Sequence, residues 1–157
     1  MNEYIIVKKS SVHNKGVFAK KNIKKGTKII EYVGKKITKK ESDILADKVL
    51  DDSIKNPEKG AVYIFTLNAK WDIDGNVSWN PAKYINHSCN PNCETTNYDE
   101  EHIWIEAIRD IKKGEELNYN YGYELEDYKK HPCKCGSKNC VGFILDEKYW
   151  KNIKKTK

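Results

Sequence analysis

One stretch of this chain concentrates polar, turn-forming and metal-ligating residues, Asn86-His87-Ser88-Cys89-Asn90-Pro91-Asn92-Cys93, called the octapeptide below. Asn, Ser and Pro all resist continuing a helix or a strand, so the octapeptide predicts a loop. Because apolar and aromatic segments flank it on both sides, we expect this loop to cross the centre of the fold. The alternative is a tight turn whose Asn and Ser side chains only satisfy their own backbone.

Short segments with alternating or β-branched residues make up most of the rest of the chain. Strands are predicted at residues 4–9, 17–19, 28–33, 61–67, 103–108 and 117–123. Thr38-Lys39-Lys40-Glu41 has the pattern of a helix capping box, and its helix is predicted to run to about residue 51, with Ile44, Leu45 and Val49 on one face. Residues 56–60 are expected to break this helix. The pattern predicts a mostly β protein with a few short helices and no βαβ alternation.

Two turns have nearly the same sequence, Asn22-Ile23-Lys24-Lys25-Gly26 and Asp110-Ile111-Lys112-Lys113-Gly114. In both, a short polar residue opens the turn and Gly closes it. We expect each Gly to occupy a backbone position with positive φ. The similarity is confined to these two turns, and the chain contains no repeat of greater length.

Length and charge bound the kind of protein. A chain of 157 residues predicts one domain with one core, with room for a small appendage. No apolar run reaches the roughly 18 residues of a membrane span, and the N-terminus lacks the features of a signal peptide, so we expect an intracellular protein without a membrane partner. The net charge of +6 comes from lysines spread along the chain, with Arg109 the one arginine. Nucleic-acid binding is therefore expected to be at most non-specific.

The cysteines favour a metal site over disulfides. Five cysteines are an odd number, and no secretory signal is evident. Cys133, Cys135 and Cys140 place three thiols within eight residues, and a Cys133–Cys135 disulfide would be strained. A structural zinc site needs a fourth ligand. Spacing does not choose among the candidates, which are Cys89, Cys93, His87 and His131. Free buried thiols are the alternative.

Three segments in this order resemble the SET-domain protein lysine methyltransferases: the octapeptide, the tyrosine segment Glu115-Glu116-Leu117-Asn118-Tyr119-Asn120-Tyr121-Gly122-Tyr123, and Cys133-Lys134-Cys135-Gly136-Ser137-Lys138-Asn139-Cys140. The family signature is an Asn-His-Ser-Cys-x-Pro-Asn loop, a Glu-Leu-x-Tyr-x-Tyr strand and, in many members, a Cys-x-Cys-x4-Cys post-SET segment. The resemblance covers residues 4–145. It implies small curved β-sheets around a pseudoknot, with a SET domain at residues 1–125 and a zinc-bound post-SET tail at residues 126–157.

The resemblance also implies two ligands, S-adenosyl-L-methionine as methyl donor and structural Zn²⁺. The family pattern makes Cys89 the fourth metal ligand, beside Cys133, Cys135 and Cys140. Asn14 stands where the family usually has Gly, and Asn tolerates a left-handed backbone better than other non-Gly residues. Lys83 stands where Arg is common. The implied donor contacts are His13, Asn14, Lys15, Gly16, Val17, Phe18, Tyr63, Lys83, Asn86, His87, Tyr121 and Phe143. Core packing is the alternative for Tyr63 and Phe143.

Methyl transfer requires a neutral lysine amine, which costs about 4.6 kcal/mol at pH 7 because the pKa of a free lysine is about 10.4. An apolar channel beside a positive sulfonium lowers that pKa, and orientation supplies the rest of the catalysis. The resemblance makes Tyr121 the catalytic tyrosine and Tyr119 the residue that limits how many methyl groups fit. It places Phe65, Tyr119 and Tyr123 along the substrate channel. A hydroxyl at Tyr119 predicts mono- or dimethylation. Without the resemblance, the three tyrosines indicate only one face of a strand.

The implied substrate is a lysine in an extended protein segment, and histone tails are the family's common substrate class. The segment is expected to lie between residues 38–51 and the tail as an added strand. Acidic Glu124, Glu126 and Asp127 suit a basic peptide or form a solvated rim. Two other functions stay open: a catalytically weak SET-like interaction module, suggested by Asn14 and Lys83, and a basic zinc-knuckle protein that binds nucleic acid. The second leaves the tyrosine segment without a purpose.

Overall fold

The computed structural model describes residues 2–55, 62–126 and 128–153. Within these ranges the chain is mostly β with few short helices, as predicted. The strands are β1 Ile5–Lys9, β2 Lys15–Ala19, β3 Lys28–Glu31, β4 Lys35–Thr38, β5 Ile64–Thr66, β6 Trp71–Asp74, β7 Asn86–His87, β8 Cys93–Thr96, β9 Trp104–Ala107 and β10 Glu116–Tyr119. The helices are α1 Lys39–Lys55 and the 3-10 turns Pro81–Tyr84, Tyr128–Lys130 and Glu147–Asn152.

The chain forms two compact units. The first contains Met1–Ile30, Tyr84–Thr95 and Ile105–Lys157, and the second contains Glu31–Lys83 and Thr96–Trp104. The predicted division at residue 125 stays a prediction. In the described part of the chain, no helix combines the length and the apolar character required to cross a bilayer.

The first unit is built on a four-stranded sheet of order β1-β2-β10-β7. β1 and β2 form an antiparallel hairpin, β10 pairs antiparallel with β2, and β7 pairs parallel with β10. Val17 on β2 and Leu117 on β10 are fully buried at their cross-strand pairing. The pairing of Asn118 with Asn86 and of Tyr119 with His87 places the octapeptide beside the tyrosine segment. The prediction that the whole octapeptide is a loop was therefore wrong for its first two residues.

The tyrosine segment leaves the sheet earlier than predicted. β10 ends at Tyr119, and the Asn120 side chain then accepts a hydrogen bond of 2.9 Å from the backbone N–H of Gly122. This local bond turns the chain, because an Asn side chain competes with a neighbouring strand for backbone donors. Tyr121 and Tyr123 lie beyond the strand, so the prediction of a strand through residue 123, with three tyrosines on one face, was wrong.

The two similar turns pair with each other. Ile23 and Ile111 form an isolated antiparallel bridge with two backbone hydrogen bonds of 2.8 Å. Asn22 Oδ1 accepts from the Lys113 backbone N–H at 2.9 Å, and Asp110 Oδ1 accepts from the Lys25 backbone N–H at 3.0 Å. The closing glycines, at positions 26 and 114, have φ of 80° and 90°, which confirms the predicted positive φ. Each turn therefore closes the other.

The second unit contains an antiparallel sheet of order β4-β6-β5, and α1 follows β4 directly. The predicted capping box is confirmed: the Thr38 backbone N–H donates to Glu41 Oε2 at 2.8 Å, and Glu41 N–H donates to Thr38 Oγ1 at 3.3 Å. The helix continues past the predicted residue 51 to Lys55, and the predicted break at 56–60 lies outside the described residues. Ile44 is 59% exposed, so the predicted apolar face was wrong at this position.

Candidate active site and metal centre

Four cysteines of the first unit converge on one point. The Sγ atoms of Cys89, Cys133, Cys135 and Cys140 all lie within 4.8 Å of one another. The distances from Cys89 Sγ to Cys133 Sγ and to Cys140 Sγ are both 3.9 Å. A tetrahedral zinc ion with Zn–S bonds of about 2.3 Å holds its sulfur ligands about 3.8 Å apart. This cysteine cluster therefore fits zinc in ligand type, number and spacing.

The pKa values of the four thiols are shifted in both directions: the pKa is lowered at Cys89 and Cys135 and raised at Cys133 and Cys140. The hydrogen bond from Cys133 lowers the pKa of the Cys89 thiol to about 3. The same contact raises the pKa of Cys133, because one proton is shared between two sulfur atoms. Backbone N–H groups also point at sulfur, from Cys135 to Cys133 Sγ and from Gly142 to Cys140 Sγ, each at 3.4 Å. Such donors stabilise metal-bound thiolates.

Cys93, a second candidate from the sequence, lies outside the cysteine cluster. Its side chain is 1% exposed, and burial raises the pKa of its thiol to about 12. A thiol kept in its protonated form is a poor metal ligand and a poor nucleophile. Cys93 is therefore a packing residue.

An apolar cluster surrounds the four thiols and folds the tail segment, residues 128–153, onto the octapeptide. Buried Val141, Leu145 and Ile153 pack with Cys89. The Asn139 side chain donates to the backbone carbonyl of Cys89 at 3.0 Å. Phe143, predicted to cover the adenine of the donor, packs in this cluster, and its ring lies edge-on to Tyr128 at 5.0 Å between centroids. Its donor contact stays a prediction.

His87 connects the cysteine cluster to the tyrosine segment. Its Nδ1 accepts a hydrogen bond of 3.2 Å from the Tyr121 backbone N–H. Its Nε2 lies 3.6 Å from Cys89 Sγ. Because Nδ1 is an acceptor, the neutral imidazole carries its hydrogen on Nε2, where it can donate to sulfur. The same ring therefore contacts a sulfur of the cysteine cluster and the backbone of the predicted catalytic residue.

The three tyrosines predicted for catalysis and the substrate channel are close together. The Tyr121 ring centroid lies 5.0 Å from that of Tyr119, 5.9 Å from that of Tyr123 and 5.4 Å from that of His87. The Tyr121 hydroxyl donates to the backbone carbonyl of Ile85 at 2.9 Å. Burial raises the pKa of the Tyr123 phenol, so this group stays neutral at physiological pH. The arrangement is an aromatic surface in which the Tyr121 hydroxyl is held by a backbone carbonyl.

The tail segment covers the far end of the tyrosine segment. The Asp146 backbone N–H donates to Tyr123 O at 2.9 Å, and the Asn120 side chain donates to Leu145 O at 3.2 Å. Glu124 accepts hydrogen bonds from the Tyr149 hydroxyl and from Lys148, and both bonds lower the pKa of its carboxyl group. Glu124 thus joins the tail segment to the end of the tyrosine segment. Glu126 is exposed, and Asp127 lies outside the described residues.

The predicted donor turn, residues 13–18, starts in the connection between β1 and β2 and continues into β2, which begins at Lys15. Asn14 has φ of 34°, the left-handed backbone expected at the position where the family has Gly. His13, Asn14 and Lys15 are exposed, Gly16 and Val17 are buried, and Phe18 is half-buried. An open cavity of about 540 Å³ lies here, lined by Val7, Lys8, Lys9, Asn14 and Lys15.

Asn86 joins this turn to the sheet. Its side-chain amide donates to Lys15 O at 3.0 Å and to Glu116 Oε1 at 2.7 Å. The sequence assigned no role to Glu116 or to Ser10, which also contacts this amide at 3.3 Å. Glu116 belongs to the tyrosine segment, so its position there could have marked it as a candidate site residue. Nothing in the sequence pointed to Ser10.

The remaining predicted site residues belong to the second unit. Lys83 Nζ lies 5.7 Å from the centroid of the Tyr63 ring. The Tyr63 carbonyl accepts hydrogen bonds from Gly75 N–H at 2.8 Å and from the Tyr32 hydroxyl at 2.9 Å. The Phe65 ring lies 4.5 Å from that of Tyr32, between centroids. The predicted roles of Tyr63, Phe65 and Lys83 in donor and substrate binding stay predictions.

Comparisons with known proteins agree with this geometry. The family model described as the SET domain matches residues 14–122. A "Histone-lysine N-methyltransferase, H3 lysine-4 specific" from Aspergillus oryzae is 38% identical over 141 residues, which are 87% of this chain and 11% of that protein. Histone-lysine N-methyltransferase 2D from Homo sapiens is 37% identical over 140 residues, 87% of this chain and 2% of that protein. Histone-lysine N-methyltransferase trithorax from Drosophila virilis is 37% identical over 145 residues, 90% of this chain and 4% of that protein. The chain therefore spans a small part of the length of these relatives.

Proposed function

The chain belongs to the SET-domain family, and on that basis we propose that it transfers a methyl group from S-adenosyl-L-methionine to a lysine side chain of a protein. The observation that carries the proposal is the fixed position of Tyr121. Its backbone N–H is held by His87, its hydroxyl by the Ile85 carbonyl, and its ring lies beside Tyr119 and Tyr123. A residue held at this many points can orient a reacting group without rearranging.

The bound donor supplies an electrophilic methyl group on a positively charged sulfur. The chain's own residues supply the orientation of the lysine. Tyr119, Tyr121 and Tyr123 offer aromatic faces to the methylene chain of the lysine, and this apolar lining favours the neutral amine. Because the Tyr121 hydroxyl gives its hydrogen to Ile85, its oxygen keeps lone pairs that can accept a hydrogen bond from the amine.

We assign the cysteine cluster to structural Zn²⁺, held by Cys89, Cys133, Cys135 and Cys140. The metal would supply a cross-link between the octapeptide and the tail segment, with no part in the reaction. Because His87 contacts both Cys89 and the Tyr121 backbone, the cross-link would also stabilise the position of the catalytic tyrosine.

Histone H3 is the first substrate to test, because the Aspergillus oryzae relative is named for H3 lysine 4. We place the reaction inside a cell, where thiols stay reduced and available for metal. The alternative of a weak interaction module loses part of its support, since Asn14 keeps the left-handed backbone of the donor turn.

Transfer of labelled methyl from S-adenosyl-L-methionine tests the proposal directly. The protein is incubated with histone H3, peptides of the H3 tail and a whole-cell protein extract, and the label is located by mass spectrometry. We expect label on a lysine. No label with donor binding intact by calorimetry would exclude these substrates, and no label without donor binding would favour the interaction module.

Tyr119→Phe is expected to raise the methylation state of the product by at least one methyl group. Tyr119 is 6% exposed and its ring lies 5.0 Å from that of Tyr121, so its hydroxyl occupies space beside the predicted channel. Removing the hydroxyl releases that space, at a cost of about 1 kcal/mol in folding stability. Mass spectrometry of the product over time measures the distribution. A distribution equal to that of the unsubstituted protein would count against a channel limit at Tyr119.

A further inference from the structure

A carboxylate without a role in the reaction lies where three segments of the first unit meet. Glu116 opens β10, beside Ser10 from the turn before β2 and Asn86 on β7. Ser10 Oγ donates to both Glu116 oxygens, at 2.8 and 3.0 Å, and Asn86 Nδ2 donates to Oε1 at 2.7 Å. Ser10 and Asn86 are buried and Glu116 is half-buried. The carboxylate therefore joins the donor turn to the octapeptide.

Gly16 makes room for this arrangement. A Cβ atom at Gly16 would lie 2.9 Å from Glu116 Cδ and 2.9 Å from Ser10 Cβ, closer than such atoms approach in proteins. Any side chain at this position would displace the carboxylate. The close approach of Glu116 to the donor turn is thus built into the packing of β2 against β10.

The partners of Asn86 determine which way its amide group points. Lys15 O and Glu116 Oε1 can only accept hydrogen bonds, and they lie 3.0 and 2.7 Å from Nδ2. The Ser10 hydroxyl gives its hydrogen to Glu116, so it too meets the amide as an acceptor. A flipped amide would place its oxygen against three oxygens. The NH₂ group therefore faces this cluster, and the carbonyl Oδ1 is directed away from it.

We propose that Glu116 is a positioning residue of the methyl-donor site, holding the Asn86 amide so that its carbonyl oxygen receives the α-ammonium group of the donor. This inference rests on the proposed function. A carbonyl oxygen attracts an ammonium group and repels a carboxylate, so the orientation of one amide selects which charged group of an amino-acid moiety binds there. Without Glu116, Lys15 O still accepts from the amide, but the Ser10 hydroxyl is no longer committed as an acceptor, so the orientation of the amide is held less strongly.

Calorimetry with two ligands tests the selectivity. S-adenosylhomocysteine carries the same amino-acid end as the donor, and its analogue without the α-amino group lacks the ammonium. Glu116→Met keeps the side-chain length and removes both acceptors. We expect it to weaken S-adenosylhomocysteine binding about 10- to 100-fold and binding of the analogue at most about threefold. Glu116→Gln retains one acceptor oxygen. Its affinity for S-adenosylhomocysteine should lie between those of Glu116→Met and the unsubstituted protein.

Glu115→Gln is the matched control, because Glu115 binds Arg109 and the Lys112 backbone instead of Asn86. It should leave binding of both ligands unchanged. Equal weakening of both ligands by Glu116→Met would show a purely structural role and overturn the inference. If circular dichroism shows that Glu116→Met does not fold, the same binding measurements are made on Glu116→Gln. If Glu116→Gln binds both ligands as the unsubstituted protein does, or weakens both equally, the inference is overturned. An unsubstituted protein that binds neither ligand and transfers no methyl would overturn the proposed function itself.

Discussion

Tyr121→Phe should lower turnover by about 10²- to 10³-fold while the fold persists. The structure holds the Tyr121 hydroxyl in a defined direction, because it donates to Ile85 O at 2.9 Å. Its loss removes the proposed acceptor for the lysine amine and leaves the ring, with its neighbours Tyr119 and Tyr123, in place. Because the effect falls on orientation in the reacting complex, we expect kcat to fall more than the KM for either substrate changes.

Single-turnover methyl transfer, with donor affinity measured in parallel, checks this prediction. The stability loss should be about 1 kcal/mol, the usual worth of one hydrogen bond, and urea unfolding measures it. Tyr98→Phe is the control, since Tyr98 is 70% exposed and belongs to the second unit. Turnover of Tyr121→Phe within about threefold of the unsubstituted enzyme would reject Tyr121 as the catalytic residue.

Cys133→Ser should remove the metal and disorder the tail segment. With four thiolates the protein should contain about one zinc per chain, and replacing one thiolate by a hydroxyl, a weaker ligand, should leave little bound zinc. Structural zinc contributes about 10–16 kcal/mol in zinc-finger peptides, which is larger than the stability of a typical domain. We therefore expect the buried contacts of Val141, Leu145 and Ile153 to open and activity to fall to background.

Plasma emission spectrometry measures the metal, and hydrogen exchange measures protection of the tail segment. Cys93→Ala is the matched control, because Cys93 is buried in the same unit outside the cysteine cluster. It should keep the full metal content while losing some stability to the cavity. A metal-free protein with full activity would remove the zinc assignment.

The cysteine cluster shows how much the spacing of cysteines in the sequence can predict about a metal site. Three thiols within eight residues indicated a metal site, but the fourth partner lies 44 positions before Cys133. Spacing left four candidates for it, and the resemblance to a family selected Cys89. The structure brings Cys89 Sγ into the cluster and leaves Cys93 buried outside it. That the four cysteines of the cluster bind zinc stays a prediction.

Local chemistry predicted local structure well. The capping box at Thr38 and Glu41 was found because its two hydrogen bonds join residues three positions apart. The positive φ of the closing glycines in the two similar turns was likewise predicted from the few residues within each turn. Their mutual pairing was missed, since it joins Asn22 to Lys113, 91 positions away. Nothing in the local pattern of either turn encodes its partner.

Two errors arose from competing interactions. The octapeptide starts as β7 because β10 supplies a parallel partner, which outweighs the poor strand propensity of Asn and His. The alternation in the tyrosine segment suggested a longer strand, and the side chain of Asn120 ended it. The Ser10–Glu116–Asn86 cluster was missed because its members come from three distant segments.

The position of β10 in the first sheet also affects how the protein is made. β10 lies between β2 and β7, and its Glu116 contacts Ser10 across 106 positions of chain. At about 5–20 residues per second, a ribosome needs roughly 5–20 s to add those residues after Ser10. During that time the β1–β2 hairpin lacks its partner strand, and an isolated hairpin is marginally stable in water. The four-stranded sheet can therefore be completed only after β10 has emerged.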